Sequence, residues 1–451
     1  MMVEESSSIR LRLQDRINNL PNSVLHHILS FLPTKTSVHT SLVCRRWRNL
    51  WKNLQTFNFC DNSHYMIYDE DNIKQFLCFT VFVNAVLSLR RSRDTRKFHL
   101  SCVHFPSDPF FAYSVDTWIS TVVGPQLEEF HLTLHCLDGF AFNLPQSLLS
   151  CSNLISVSLS GNILFQLQDS SGICLPSLKV LQLLLDMYLL DLNPVNIFLS
   201  ACHVLEDLEM SFTHESLAIL RVPTSLKRLK IMVETKVGAC LEIDAPDLKF
   251  LSLTNVTISH AATIGNLHKV EEAFLDVLPT PESESVEPLL NLLRALSGIK
   301  HLELFSSTTK WLSAAPTSDF PEFHYLLHLQ LFLLSFNFNF IFDMLHKCPI
   351  LQTLITFNDK MDPSFDSSPA YGWETKPQSV PKCLVSHLTF IKFEAYLGHS
   401  NELEFIGYVL QNGLVLKTVL IDDFYMMNQP EEWKEKIYDL PRGTMCQLKI
   451  H

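Results

Sequence analysis

The segment Leu178-Lys-Val-Leu181-Gln-Leu183 carries the pattern that decides the fold: an apolar residue, two variable residues, then apolar–variable–apolar. The alternation in its second half predicts a short β-strand with one buried face. Successive copies start 21 to 29 residues apart, except for a last step of 37 residues. The chain is therefore predicted to be an array of repeats, whose copies start at Leu127, Leu154, Leu178, Leu205, Leu226, Leu248, Val270, Ile299, Leu326, Leu351 and Leu388.

A single copy cannot bury its own apolar side, because it has only one strand and one return segment. Stacked copies align their strands into a parallel sheet over a continuous core. The spacing mostly matches the period of leucine-rich repeats, so the predicted fold class is α/β, an irregular leucine-rich-repeat solenoid with a curved parallel sheet. Return segments near Pro145, Pro194 and Pro288 look helical or turn-like and would lie on the convex side. A doubly wound α/β sheet ranks second, because no glycine-rich phosphate loop is present.

Alternate strand residues of each copy point to the concave, solvent-facing side of the predicted sheet. Early copies have polar residues there, whereas later copies place aromatic residues beside acids. Contiguous exposed aromatic residues are typical of binding surfaces. Such a surface favours a partly basic, partly apolar partner, unless the C-terminal module or the segment 359–378 folds over it. The residues predicted to contact a target protein are Glu272, Phe274, Glu303, Phe305, Phe332 and Phe357.

The charge distribution indicates two surfaces with different partners. The 451 residues have a formal net charge of −12, which argues against nucleic acid as a partner because phosphate binding needs a concentrated basic surface. Residues 1–60 nevertheless carry +5, from eight lysines and arginines against three acids, which leaves −17 for the rest. A basic head on an acidic body is therefore expected.

No targeting or membrane segment is evident. The N-terminal MMVEESSSIR has acids where a secretory signal requires positive charge. Tyr325–Phe342 lacks formal charge, but its near alternation of apolar and polar residues predicts a strand and a turn. The run 90–97 is basic and could direct nuclear import, although the solvated end of a helix over Phe76–Leu89 is favoured. The expected location is the nucleus, the cytoplasm or both.

Signatures of catalysis and metal binding are missing from the sequence. The chain contains no GxSxG, no GxxxxGK[ST] and no HExxH motif. His131 and His135 are four residues apart, but they fall on a predicted strand. The twelve cysteines are never closer than fifteen residues, so no CxxC metal pair exists and we expect reduced, buried thiols. We expect no enzyme activity, no cofactor and no metal.

Residues 15–60 differ from the repeats and predict three short helices. The second helix starts at Thr36 or Ser37, and the third carries two tryptophans among basic residues. So small a module has little core, so its apolar residues are expected to pack on a partner or, alternatively, on the first repeat. The first helix ends at Pro33 and has an apolar face formed by Val24, Leu25, Ile28, Leu29 and Leu32.

The sequences LPNSVLHHILSFLPTK (residues 20–35) and VCRRWRNLW (residues 43–51) resemble a plant-type F-box. The resemblance implies binding to the Skp-type adaptor of a Skp–cullin–F-box ubiquitin ligase and, through it, to a cullin scaffold. The basic residues would suit the acidic surface of that adaptor family. The adaptor-facing positions implied are Leu20, Pro21, Val24, Leu25, Ile28, Leu29, Leu32, Pro33, Val43, Trp47 and Leu50.

The end of the chain resembles the FBD domain of plant F-box proteins. The matching residues are VPKCL at 380–384, the segment 402–416, and LPRGTMC at 440–446. Helices are predicted over 402–411 and 430–440 and strands over 415–421 and 448–450, so this module is expected to cap the repeats. The predicted boundaries are a flexible tail at 1–14, the F-box at 15–60, repeats at 61–375 and the FBD domain at 376–451.

Together these resemblances imply a substrate-recognition subunit that holds a target protein near a ubiquitin-charged enzyme and acts by proximity. One alternative is an F-box scaffold that binds the adaptor without ubiquitin transfer. Another is a receptor gated by a small molecule, which the lack of long insertions over the concave face disfavours.

Overall fold

The computed structural model divides into two compact units, Met1–Leu205 and Glu206–His451. No helix among the described residues is both long enough and apolar enough to cross a bilayer. The described residues are 17–61, 70–102, 109–135, 141–165, 167, 169, 172–185, 192–212, 219–233, 240–258, 262–279, 285–334, 336–358, 379–422, 431–443 and 446–451.

The first unit begins with a small helical module. Helix α1 (Asn22–Ser30) and helix α2 (Thr34–His39) each follow a proline, whose fixed φ and missing N–H suit a helix start. The predicted third helix is present as two short 3₁₀ turns, in which both tryptophan rings are buried. The 3₁₀ turns of this module span Thr40–Leu42, Trp47–Asn49 and Trp51–Asn53.

A five-stranded parallel sheet forms the rest of the first unit. Its strands, in order, are β1 (Thr56–Asp61), β2 (Lys97–Cys102), β3 (Glu129–Leu134), β5 (Ser156–Gly161) and β7 (Val180–Leu185). Strands β4 (Phe142–Asn143) and β6 (Ile163–Leu164) form a separate short pair. The return segments include α3 (Glu70–Leu89), α4 (Pro109–Val122), a 3₁₀ turn at Gln146–Ser150 and α5 (Leu192–Ser200).

The second unit contains ten parallel strands in one sheet. They are β8 (Asp207–Phe212), β10 (Arg228–Val233), β12 (Phe250–Ile258), β13 (Glu272–Pro279), β14 (His301–Leu304), β15 (His328–Leu333), β16 (Thr353–Asn358), β17 (Phe390–Glu394), β18 (Thr418–Ile421) and β19 (Gln447–Ile450). Strands β9 (Ile219–Arg221) and β11 (Cys240–Glu242) pair separately. The helices are α6 (Glu287–Ala295), α7 (Ser306–Leu312), α8 (Phe338–His346), α9 (Lys382–Ser386), α10 (Ser400–Asn412) and α11 (Glu432–Tyr438), with a 3₁₀ turn at Thr317–Asp319.

Both units confirm the predicted leucine-rich-repeat architecture. The first apolar residue of the pattern lies just before each strand and is buried. In most copies it donates its N–H to the carbonyl three residues earlier, as Leu248 does to Ala245. The next residue donates to the preceding repeat, as Lys249 does to the carbonyl of Lys227. The array is longer than predicted, because β1 and β2 use Phe57, Phe59 and Phe98 where later copies use leucine.

Strand β14 is shorter than its neighbours, and helix α7 takes over where it ends. The buried Thr308 hydroxyl accepts from the N–H of Val277 at 2.6 Å and donates to the carbonyl of Leu275 at 2.9 Å. The Thr309 hydroxyl donates to the carbonyl of Phe332 at 2.6 Å. The Thr308 and Thr309 side chains make hydrogen bonds to the backbone of β13 and β15 that a longer β14 would otherwise make. They also fix the point where Phe305 leaves the sheet.

A buried carboxyl group joins the C-terminal module to the repeats. Glu402, in the first turn of α10, accepts hydrogen bonds from the Asn358 amide at the end of β16 and from the N–H groups of Leu397 and His399. The neighbouring Asn401 amide donates to the carbonyl of Phe336 at 2.8 Å. Burial raises the pKa of Glu402 to about 7, although these donors favour its charged form.

The cysteines agree only in part with the expectation of burial. Six of the described thiols are buried, including Cys102, Cys202 and Cys348. Cys60, Cys78 and Cys174 are exposed instead. Cys60 is exposed because it occupies an outward position of β1, where alternation turns its side chain away from the core.

Replacing Thr308 with Val should lower the free energy of unfolding of the chain by about 1–3 kcal/mol, because the buried N–H of Val277 would lose its acceptor, whereas the Leu275 carbonyl would keep the N–H of Phe305. Urea unfolding measures this change. Ser313→Ala is the matched control, since the Ser313 hydroxyl is exposed and bonds only within its own turn. Equal effects of the two substitutions would contradict the role assigned to Thr308.

The buried Glu402 should make the chain less stable as pH rises from about 4.5 to about 7. Its folded pKa lies above the unfolded value, so the folded state retains a proton that the unfolded state releases over this range. The loss should approach ~3 kcal/mol and level off above pH 7. Urea unfolding of wild type and Glu402→Gln at pH 5 and pH 8 should show the difference only in wild type. An equal change in the free energy of unfolding between pH 5 and pH 8 in both proteins would contradict the role assigned to Glu402.

Candidate functional site

Helix α1 has two apolar stripes that face different surroundings. Leu25 and Leu29 have no exposed surface and, with Trp47 and Leu50, form the core of the N-terminal module. The Ser37 hydroxyl donates to the carbonyl of Leu29 at 3.0 Å and holds α2 against this side. The inner stripe therefore belongs to the chain itself.

The outer stripe of α1 is uncovered among the described residues. Val24, Ile28 and Phe31 follow one another at helical spacing and are 40%, 40% and 74% exposed. Leu42 and Val43, in and just after the first 3₁₀ turn, are 85% and 67% exposed. Five large apolar side chains on so small a module form a surface suited to a protein partner.

Polar contacts brace the start of α1 beneath this stripe. The Trp47 indole N–H donates to the Asn18 side chain at 2.9 Å. The Arg46 guanidinium donates to the Asn22 side chain at 2.8 Å and to the carbonyl of Leu20. Arg46, Arg45 and Arg48 are all exposed, but Arg46 is held by these contacts to the start of α1.

The eleven predicted adaptor contacts divide into three groups. Pro21, Val24, Ile28, Pro33 and Val43 are exposed, and Leu20 and Leu32 are half-buried. Leu25, Leu29, Trp47 and Leu50 are buried inside the module, so they support the surface from below instead of forming it. Sequence reasoning missed Phe31 and Leu42. The period of Val24 and Ile28 leads to Phe31, whereas nothing in the pattern singled out Leu42.

The six predicted target contacts lie together on the solvent-facing side of the second unit. Register places Phe274 beside Glu303, Glu272 beside His301, and Phe332 beside Phe357. Phe305 follows β14 directly and stacks on Phe332. None of the six is buried, and β17 of the C-terminal module lies beside them, with Glu394 next to Phe357, without covering them. The segment 359–378 lies outside the described residues.

Ring contacts connect these side chains into two lines, which we call the first and second aromatic tracks. The first track runs from Phe250 to Phe274, His301 and His328, with ring centroids 5.4, 5.6 and 5.7 Å apart. The second track runs from Phe305 to Phe332 and Phe357, at 4.5 and 5.3 Å. Neighbouring rings in each track bury part of one another's surface, which stabilises their arrangement without a bound partner.

Acidic groups lie between and beside the tracks. The His301 ring nitrogen is 3.0 Å from a Glu303 carboxylate oxygen, and this hydrogen bond raises the pKa of His301. Burial, and then the proximity of His301, lowers the pKa of His328. On the flanking strands Lys230 pairs with Glu209 at 2.6 Å. The face thus combines aromatic rings with carboxylates and has paired cations at its margins.

The other candidate sites have internal roles. The His131 ring stacks near His99 at 5.4 Å, burial lowers the pKa of both, and the described residues contain no cluster of metal-ligating side chains. In the basic run, Arg90 donates to Thr95 and to the carbonyl of Thr121. Arg96 binds Glu128 through two nitrogens. Arg90 and Arg96 of the basic run therefore bind other residues of the same chain.

Comparison with known proteins places the two surfaces in context. The model described as At1g61320/AtMIF1, LRR domain, matches residues 86–440, and the F-box domain model matches residues 17–59. The Putative FBD-associated F-box protein At5g56440 of Arabidopsis thaliana is 30% identical over 440 residues, 93% of this chain and 95% of that protein. F-box/FBD/LRR-repeat protein At4g26340 from the same plant is 29% identical over 411 residues, 90% of this chain and 91% of that protein. The chain therefore belongs to the plant family of FBD-associated F-box proteins with leucine-rich repeats.

Proposed function

We propose that this chain is the substrate-recognition subunit of a Skp–cullin–F-box ubiquitin ligase. The outer stripe of α1 binds the Skp-type adaptor, and the concave face of the second unit binds the target protein. The observation that carries this proposal is the uncovered stripe of Val24, Ile28 and Phe31 on a helix whose other side is already packed. The chain contributes position and no chemistry, and it acts in the nucleus, the cytoplasm or both.

The outer stripe has the apolar composition of a stable protein–protein interface. Aliphatic and aromatic groups gain about 25 cal/mol per Å² when they leave water, and this stripe has no internal partner among the described residues. Exposed basic side chains such as Arg45 and Arg48 lie on the same module and suit an acidic partner surface. Buried Leu25 and Leu29 keep the helix folded before the partner arrives, so binding does not have to order it.

The concave face supports a more selective interface. Its side chains come from separate repeats, so single substitutions change the surface without disturbing the leucines beneath it. The aromatic tracks provide rigid apolar contacts, and Glu272 and Glu303 provide charge that can select among partners. The two surfaces use different residues, and each can be tested without removing the other.

Replacing Ile28 and Phe31 with Ser should weaken adaptor binding at least ~30-fold, because two exposed anchors are lost while the inner stripe stays packed. Co-expression with a Skp-type adaptor, followed by titration calorimetry of the purified partners, measures this affinity. Phe305→Ser with Phe332→Ser is the matched control and should leave the affinity unchanged. If wild type fails to bind the adaptor, the ubiquitin-ligase assignment is wrong.

Loss of the chain should raise the abundance of its target proteins in plant cells. Quantitative proteomics would identify proteins that accumulate when the chain is deleted and return to normal with wild type. Neither the Ile28→Ser/Phe31→Ser variant nor the Phe305→Ser/Phe332→Ser variant should restore them. A scaffold without ubiquitin transfer predicts that no protein behaves in this way.

A further inference from the structure

We propose that the aromatic tracks of the second unit bind an extended target segment containing an arginine next to apolar residues. This inference rests on the proposed role of the concave face in target binding, and it names the chemistry of the target. The evidence comes from the spacing of the tracks, the sign of the charge around them, and an arginine that the chain already holds in the same way.

The spacing of the tracks suits a single extended chain. Phe305 and Phe332 of the second track lie four residues beyond His301 and His328 of the first, which is about 13 Å at the rise of a β-strand. Strands β12 to β16 are five neighbours, so the tracks cover about 19 Å across the sheet. The first track spans β12 to β15 and the second β14 to β16, so the two tracks face each other at β14 and β15. A segment of about six extended residues that crosses these strands would contact the first track, pass between both tracks over Glu303 and Gln330, and then contact the second.

The charge around the tracks is negative. Glu303 lies between the tracks, whereas Glu272 is level with His301 of the first track and Asp276 lies two residues beyond Phe274. The outward positions of β12 to β16 hold three carboxylates, Glu272, Asp276 and Glu303, and none of these fully described strands carries a lysine or arginine there. The cations of the flanking strands are paired with acids, as in Lys230 with Glu209 and Lys392 with Glu394. An incoming cation would therefore meet carboxylates, whereas an acidic segment would be repelled.

The chain itself binds an arginine on this face. The Arg228 guanidinium lies 3.8 Å from the centre of the Phe250 ring, at the start of the first track, and 3.9 Å from the Asp207 carboxylate. A planar guanidinium can stack on a ring and meet a carboxylate at its edge, which an ammonium cannot do equally well. Phe274 with Glu303, and Phe332 with its neighbours, repeat this combination of ring and acid or amide without an internal arginine.

The composition of the segment 359–378 disfavours it as the occupant. It contains Asp359, Asp362, Asp366 and Glu374 against two lysines, Lys360 and Lys376, so it has the same sign of charge as the face. A positively charged partner would be attracted to the face, whereas this negatively charged segment would be repelled. A separate protein with a basic, apolar segment is therefore the occupant that the charges favour.

Selection from a phage-displayed library of random twelve-residue peptides tests the proposal. The bait is the full chain, and binders that also recognise the Phe305→Ser/Phe332→Ser variant are removed. The remaining peptides should be enriched at least ~3-fold in arginine beside apolar residues. Individual peptides should bind the Glu272→Gln/Glu303→Gln variant at least ~10-fold more weakly, with Glu404→Gln as the control, because Glu404 is exposed on α10 away from the face.

Three outcomes would overturn the proposal: a selected pool without basic enrichment, an acidic pool, or no pool that depends on Phe305 and Phe332. A pool obtained only after 360–377 is replaced by a Gly/Ser linker would also overturn it, since the chain's own segment would then be the occupant. Adaptor affinity is measured on the same preparations. Its loss would remove the proposed ubiquitin-ligase role, whereas the peptide pool reports on the face alone.

Discussion

The structure depends on one constraint: a parallel strand satisfies its backbone only when the next repeat supplies the matching strand. In the second unit the ladder from Lys227 to Lys249 and on to Glu271 continues without a register slip at the strand starts. Beneath it, buried apolar residues such as Leu251, Ala273 and Leu302 occupy equivalent positions in successive copies. Register is fixed by this apolar side, because a slip of one residue would turn every leucine toward water. The outward residues are free to vary for the same reason.

This freedom explains how aromatic tracks arise without a dedicated binding domain. Residues far apart in sequence, such as Phe250 and His328, are aligned because their repeats are in register. The tracks are most developed where the repeat departs from regularity. Strand β14 ends early, and Thr308 and Thr309 of α7 bond to the backbone of its neighbours. Phe305, at the start of that helix, is thereby held 4.5 Å from Phe332. The irregular repeat thus shapes the face as well as completing the sheet.

The sequence pattern was sufficient to predict the strands, the repeat class and the six outward residues, because period-two alternation and leucine spacing are local properties. It was insufficient where tertiary contacts decide. The phenylalanine-based strands β1 and β2 fill the leucine positions with larger rings, and only packing reveals the equivalence. Helix α1 has apolar residues on two sides, and spacing alone does not say whether Leu25 or Val24 faces inward. An ionisable residue such as Glu402 is expected at the surface, but the fold buries it. Its hydrogen-bond donors are Asn358 and the loop at 397–399, which only the fold brings to it.

The two surfaces differ in what they require of a partner. The outer stripe of α1 exposes Val24, Ile28 and Phe31 directly to water, with few polar groups to offset the cost. Such a surface is stable in solution mainly when covered, which suits a constitutive subunit contact. The rings within each aromatic track are half-buried by their neighbours, and carboxylates lie among them. The face therefore stays in contact with water when no partner is bound. A face of this kind can bind and release a target repeatedly. The proposed role, in which the subunit stays on its scaffold while its targets are exchanged, would use this combination of one apolar and one mixed surface.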